Sequence, residues 1–265
     1  MSIRAQNRLT FQALEARRRV EAFGRVILVG SGKGGVGKSF VACAIAQLLA
    51  DRRYRVGILD IDIHGASVPS ILQVRPPLRS TKDGLEPKES NGVKVMSVAL
   101  LTGDNPVPMR GNDKQELITQ FLSLTDWGPL DYLVVDLPPS TGDELLSAFE
   151  LFVGKSTLLL VTTPSPNAVG VVSRLSRLAK RERVPVAGIV LNMAYIERGR
   201  SGKTFPFGRI DRVRLEGALD SNVIAEIPLE PRLNDEGLLK VVRGRSATSV
   251  ALRKLLDRLT VPDSG

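Results

Sequence analysis

The sequence predicts an α/β protein in three layers, a mainly parallel sheet with helices on both faces. Three observations carry that prediction. A glycine-rich stretch, Gly30 to Ser39, separates an apolar run, Val26-Ile27-Leu28-Val29, from a segment with helical apolar spacing at Phe40, Ala44, Ile45, Leu48 and Leu49. Short apolar runs then recur at Val56 to Leu59, Tyr132 to Val135, Thr157 to Thr162, Val186 to Leu191 and Val223 to Ile227, with helical segments near 167–182 and 208–218 between the later ones. Strands alternating with helices pair in parallel, because a parallel neighbour is reached only through a crossover. The bulk composition agrees: 265 residues, 43% hydrophobic and 25% charged, suit one α/β domain around one core.

Taken in order, Leu9 to Phe23 carries apolar residues at Leu9, Phe11, Leu14, Val20 and Phe23 among many arginines, which predicts an amphipathic helix lying on the domain. We read residues 1–24 as a basic N-terminal helical extension. Arg17-Arg18-Arg19 reads as a solvated helix face, with an interaction arm as the alternative. This segment lacks the apolar centre of a secretory signal, and no apolar run approaches the length of a bilayer span. A cytoplasmic protein without a transmembrane segment is expected.

The glycine stretch contains Gly32-Lys33-Gly34-Gly35-Val36-Gly37-Lys38-Ser39, a phosphate-loop pattern in its proper setting of strand, loop and helix. Glycines let successive N–H groups turn inward around an anion, and the following helix adds its positive end. Gly32 through Phe40 are therefore expected to bind the phosphates of ATP. Lys38 reaches the β/γ-phosphates as a point charge, and the Ser39 hydroxyl holds Mg2+. Residues 25–265 are accordingly read as a single P-loop ATPase domain. Lys33, five residues before Lys38, cannot easily share the same contacts from inside one curled loop and is expected to point out of it. The only cysteine, Cys43, follows on the next helix, so the chain has neither a disulfide framework nor a cysteine-pair metal site.

The Val56 run closes on Asp60-Ile61-Asp62, carboxylates at a strand's C-terminal end, where open parallel sheets bind ligands. For Asp62 a turn or helix cap is the plainer alternative. His64, the only histidine, sits in the same loop and reads as a surface residue. Residues 75–110 are the least regular, with Pro76-Pro77, Pro87, Pro106 and Pro108; β segments at Leu85 to Glu89 and Val93 to Val98 flank Ser90-Asn91-Gly92, a hairpin turn signal. This region is taken as an insertion on the sheet. After Arg110-Gly111 comes a helix with Leu117, Ile118, Phe121 and Leu122 on one face. The run Tyr132 to Val135 then ends in Asp136, an acid at a strand end beside the phosphate loop, placed to hold magnesium directly or through water. Thr141 to Glu144 fits a capping box for the helix that follows.

Two stretches carry a resemblance to a known group. Lys33-Gly34-Gly35-Val36-Gly37-Lys38-Ser39 resembles the deviant phosphate loop of MinD-like ATPases, and Asp60-Ile61-Asp62-Ile63-His64-Gly65-Ala66-Ser67 resembles their switch I segment, with Ala66 in place of proline. The resemblance implies a MinD-like P-loop fold and a homodimer closed through the nucleotide face, with Lys33 reaching the partner's nucleotide. It also implies that Asp62 positions the attacking water, that Asp60 supports the magnesium shell, and that Asn192 and Pro228 border the adenine; a turn asparagine is the alternative for Asn192. Asp126 through Asp143, with Leu137-Pro138-Pro139-Ser140-Thr141-Gly142-Asp143, resembles more narrowly the Mrp/ApbC family of iron–sulfur cluster carriers, Ser140 replacing a glycine.

Many members of that family carry a Cys-x-x-Cys pair after the Asn-Met matched by Asn192-Met193. Here Ala194 to Phe205 contains no cysteine, and the single Cys43 cannot supply a cluster's four thiolates. An iron–sulfur assembly protein is therefore an expected partner and source of ligands. The formal charge of +9 also admits an acidic partner, nucleic acid or an anionic membrane surface. Arg174, Arg177 and Arg181 lie on the outer face of one helix, opposite Val171, Leu175 and Leu178, and residues 193–214 form a second basic patch. The C-terminal Val250, Leu252, Leu255, Leu256 and Leu259 read as a core-facing helix. The expected function is an Mg-ATP-dependent switch in iron–sulfur assembly or transfer. Its alternatives are a positioning or partition protein of MinD or ParA type and a nucleotide-binding regulator that does not hydrolyse.

Overall fold

The computed structural model describes residues 3–62, 65–82, 84–102, 111–139, 142–165, 168–197, 202–231 and 233–260. The chain runs α1 (Ile3–Ala22), β1 (Arg25–Gly30), α2 (Lys38–Asp51), β2 (Val56–Asp60), α3 (Val68–Ile71), β3 (Arg79–Thr81), β4 (Gly84–Glu86), β5 (Lys88–Ser90), β6 (Val93–Ser97), α4 (Ala99–Thr102), α5 (Gly111–Leu124), β7 (Tyr132–Asp136), α6 (Asp143–Phe152) and β8 (Ser156–Thr162). It continues α7 (Ala168–Arg181), β9 (Val186–Leu191), β10 (Ile196–Glu197), β11 (Lys203–Thr204), α8 (Arg212–Leu219), β12 (Val223–Glu226), α9 (Leu233–Arg243) and α10 (Ala247–Thr260).

An eight-stranded sheet in the order β12-β9-β8-β1-β7-β2-β6-β5 forms the middle layer. Only β5 runs antiparallel to its neighbour. Its central strands β1, β2 and β7 are buried on both faces, which is why they read as continuous apolar runs. Leu28, Leu59, Leu133 and Val135 pack into a cluster under α1, α5, α6 and α7; Ile27, Val29, Ile58 and Val134 pack into a second cluster under α2, α9 and α10. The predicted three-layer architecture is the one observed. β1 and β2 both pair with β7 in register, so Val29 and Asp60 each lie opposite Asp136, and the ends of three strands meet at one point.

Some local expectations are corrected. α1 buries Gln12, Ala16 and Val20, with Phe23 just beyond it, while Phe11 and Leu14 face outward at 69% and 62% exposure. The buried side follows spacings of four, and small Ala16 permits close packing on α5 and α6. Arg19 is not simply solvated, since its Nη1 donates to the Thr125 carbonyl at 2.5 Å. The expected strand at Leu85 to Glu89 splits at Pro87: Gly84–Glu86 pairs with Arg79–Thr81, and only Lys88–Ser90 joins Val93–Ser97 across Asn91-Gly92. Proline has no N–H to donate to a ladder, so the change of partner falls there. Helix α6 has Gly142 as its N-cap. On α10 Leu252, Leu255 and Leu256 are buried, whereas Val250 is 41% exposed. His64, Pro106, Pro108, Arg110, Ser140, Thr141, Arg198, Gly199 and Arg200 lie outside the described residues, as do the side chains of Leu9, Asp143 and Glu144.

Candidate functional site

The loop from Ser31 to Gly37 leaves the central strand β1 and enters α2. Gly35 and Gly37 have φ of 75° and 78°, which L side chains resist, so the backbone curls as the pattern demands. Gly37 is also hemmed in: a Cβ there would lie 2.2 Å from Nδ2 of Asn192. Gly32 is small for packing, because a Cβ would lie 2.6 Å from Val171 on α7. The loop from Lys33 to Phe40 walls a cavity of about 450 Å³ together with Asp62, Gly65 and Ser67 after β2 and Pro139 after β7.

Beneath it, Lys38 Nζ donates to Asp136 Oδ1 at 2.6 Å and Ser39 Oγ donates to Asp136 Oδ2 at 2.5 Å. Burial pushes the Asp136 carboxyl up despite the Lys38 ammonium beside it. Asp60, fully buried, accepts from the backbone N–H groups of Asp62 (3.1 Å) and Val68 (3.3 Å) and from Ser97 Oγ (3.2 Å). Its carboxyl is pushed up to about 7, first by burial and then by the charge of Asp136. Asp62 in turn accepts from Gly65 N–H at 3.1 Å, so one hydrogen-bonded chain fixes the turn after β2.

Lys33 points away from its own loop, and its Nζ donates to Ser165 Oγ at 3.2 Å beyond the end of β8. Asn192 lies under the loop, buried, with Nδ2 donating to the Val36 carbonyl at 2.8 Å. Pro228 is elsewhere, in a separate cavity of about 470 Å³ with Leu229, Ser246 and Thr248. The structure thus gathers Lys33, Gly34 to Phe40 and Asp62 around one cavity and sets Asp60, Asp136 and Asn192 below it. Gly32 sits at the packing contact with α7. Ser97 and Ser165 were missed; Ser97 ends β6 and Ser165 lies just beyond β8, both at the C-terminal ends of parallel strands, and that position is the signal that points to them.

Ser39 Oγ and Asp136 Oδ2, hydrogen-bonded to each other at 2.5 Å, are hard oxygen donors of the kind magnesium takes, and they would hold such an ion with phosphate and water completing its shell. Among the described residues no group of three or more His, Cys, Asp and Glu side chains is placed to hold a metal by itself. Cys43 is buried in α2, its thiol pushed well up by burial and then by the charges of Asp136 and Asp60. In the hairpin after Asn192-Met193, Lys203 lies 3.7 Å over the Tyr195 ring and Arg209 lies 4.4 Å from Phe205. Two cations of that basic patch, Lys203 and Arg209, are therefore held against this chain's own rings.

A family model described as ParA: NUBPL iron-transfer P-loop NTPase matches residues 22–259. The chain belongs to this family. It is 38% identical over 217 residues to an iron–sulfur cluster carrier protein from Saccharolobus solfataricus, covering 79% of this chain and 73% of that one. Against several bacterial iron–sulfur cluster carrier proteins it spans 58–66% of their length. Among solved structures, a nucleotide-binding protein from Archaeoglobus fulgidus in complex with ADP superposes with a TM-score of 0.73 at 32% identity, covering 95% of this chain and 94% of that one. The cell division ATPase MinD from Pyrococcus furiosus shares the fold, with a TM-score of 0.65 at 24% identity over 89% of this chain and 98% of its own. Membership makes the chain a P-loop NTPase of MinD-like fold. Among the described residues no helix is long and apolar enough to cross a membrane.

Proposed function

We propose that this chain is a cytoplasmic ATP-hydrolysing switch that works as a homodimer closed through its nucleotide face and serves the assembly or transfer of iron–sulfur clusters. The observation that carries the reading is the buried contact of Lys38 and Ser39 with Asp136 directly beneath the phosphate-loop cavity. When ATP enters, Lys38 exchanges Asp136 for the β- and γ-phosphates, and the loop N–H groups from Gly34 to Ser39 bind the remaining oxygens. Ser39 and Asp136 would hold magnesium, which would supply neutralisation of the phosphate charge. Asp62 orients the water that attacks the γ-phosphorus while the bond to the β-bridging oxygen breaks and ADP leaves. Lys33 releases Ser165 and reaches the nucleotide of the facing subunit, so closure and turnover are linked. Asp60 holds the turn that carries Asp62.

The cluster is cargo, and this chain's only thiol is buried and protonated, so the ligands come from another polypeptide. The test measures phosphate release from Mg-ATP and particle mass with and without ATP, then incubates the protein anaerobically with iron and sulfide. The reading predicts Mg-dependent turnover, a doubled mass with ATP for Asp62→Ala, and no chromophore retained by this chain alone. Absence of turnover contradicts the switch. A stable cluster at fixed stoichiometry contradicts the partner-supplied ligands.

A further inference from the structure

At the opposite end of the sheet from β5, the edge strand β12 borders a cleft of about 630 Å³ that shares no lining residue with the phosphate-loop cavity. Part of its lining is apolar, Ile224 of the strand with Val250 and Ala251 of α10, and this part is taken as its floor. Around it stand four cations, Arg212, Arg245, Lys254 and Arg258, against the two carboxylates Glu197 and Glu226.

The cations divide into two kinds. Arg212 is committed internally, its Nη1 lying 3.3 Å from Glu226 and its Nη2 donating to the Val223 carbonyl at 3.3 Å. Arg258 donates to the Ile224 carbonyl, and Glu216 accepts from Val223 N–H at 2.8 Å. These side chains occupy the N–H and carbonyl of Val223 and the carbonyl of Ile224, which disfavours pairing of a further strand along that part of the edge. Among the described residues, Arg245 and Lys254 have no hydrogen-bond or ion-pair partner; they are exposed cations beside an apolar floor.

We propose that this cleft is a docking site for an acidic segment of a partner polypeptide, which sets an apolar side chain on Val250 and Ala251 and carboxylates on Arg245 and Lys254. The charge and the shape both select this occupant. Glu197 and Glu226 interrupt the basic rim, which disfavours a continuous phosphate track, and the one aromatic ring, Tyr195, already has Lys203 over its face and is not free to stack a base. A concave cleft does not meet a flat bilayer surface. Unpaired cations around an apolar floor favour a short acidic and apolar segment held by side chains.

The claim does not depend on the nucleotide reading, and the ATPase rate of each variant reports that reading separately. The experiment titrates the full chain into a fluorescein-labelled peptide of alternating glutamate and leucine, following anisotropy at physiological salt. Saturable binding is expected, weakened at least tenfold in the double variant Arg245→Glu, Lys254→Glu, and weakened also by Ala251→Trp, which fills the floor without changing charge. The double variant Arg174→Glu, Arg177→Glu on α7 makes the same change of net charge elsewhere and should bind as the parent does. Absence of saturable binding, or equal loss in the cleft and α7 variants, overturns the proposal. Tighter binding of a labelled single-stranded DNA or of phosphatidylserine vesicles, lost in the cleft variant alone, assigns the cleft to those partners instead and also overturns it.

Discussion

Nζ of Lys38 and Oδ1 of Asp136 stand 2.6 Å apart, with only 6% and 0% of the two side chains exposed. The lysine that the motif assigns to phosphate is therefore paired with the acid that the motif assigns to magnesium. A buried pair of this kind contributes little net stability by itself, yet removing one partner strands the other charge out of water. In the proposed function, these are the two groups that ATP separates.

Asp136→Asn should destabilise the protein in the absence of nucleotide by about 3 kcal/mol, because it leaves the Lys38 ammonium buried without a counter-charge. Urea unfolding checks this. A change within about 0.5 kcal/mol, the size of an ordinary surface substitution, means that the pair is not structural.

Asn192 supports the loop from below through its bond to the Val36 carbonyl. Asn192→Ala should cost about 1–3 kcal/mol of stability and raise KM for ATP with a smaller effect on kcat, since the loop's resting shape is lost before chemistry begins. Gly37→Ala should be more severe, combining a positive φ with a Cβ placed 2.2 Å from that amide. Steady-state ATPase kinetics on both variants provide the check; unchanged KM in Asn192→Ala removes the support role.

Cys43 should not react with a thiol reagent while the protein is folded. Its side chain is buried, and its thiol is held protonated by burial and by neighbouring carboxylates. Mass spectrometry after brief labelling should show one modification per chain in denaturant and none in native buffer. Cys43→Ala should leave any partner-dependent cluster transfer unchanged.

The parallel strands and the phosphate loop were legible because their signals are local: a run of Val, Ile and Leu is what a strand buried on both faces requires, and glycine spacing is what the curl of Gly35 and Gly37 requires. That Asp60 and Asp136 end their strands was legible as well. The partners of these residues were not legible. That Lys38 turns back to Asp136, that Lys33 takes Ser165 and that Ser97 supports Asp60 depend on side chains from distant segments meeting where β1, β2, β6, β7 and β8 end. On α1 the apolar residues themselves misled, because close packing was set by Ala16 and left Phe11 and Leu14 outside.

Asp131 gives a pH-dependent contribution of known sign. It accepts from Arg55 N–H at 2.8 Å, from Nε at 3.1 Å and from Nη2 at 2.5 Å, joining the segments just before β2 and β7. The Arg55 hydrogen bonds lower its carboxyl to about 2. A lowered carboxyl stabilises the fold above the unfolded-state value of about 3.9 and loses that contribution as pH falls toward 2. Asp131→Asn should flatten the acid side of the stability curve in that window while leaving its shape above pH 5 alone. Because the pair is partly exposed, the effect should shrink in high salt. Identical acid limbs in both proteins refute the assignment.

In the proposed function two subunits share one reaction, and complementation between inactive variants decides whether they do. Lys33→Ala should bind ATP without turning it over, and Lys38→Ala should not bind productively. In a mixed dimer, the nucleotide held by the Lys33→Ala subunit faces the intact Lys33 of its partner. Mixing the two inactive proteins should restore phosphate release, rising with total concentration as mixed dimers form. If the mixture stays as inactive as its components, or if Lys33→Ala alone turns over ATP at the parent rate, the shared site is contradicted.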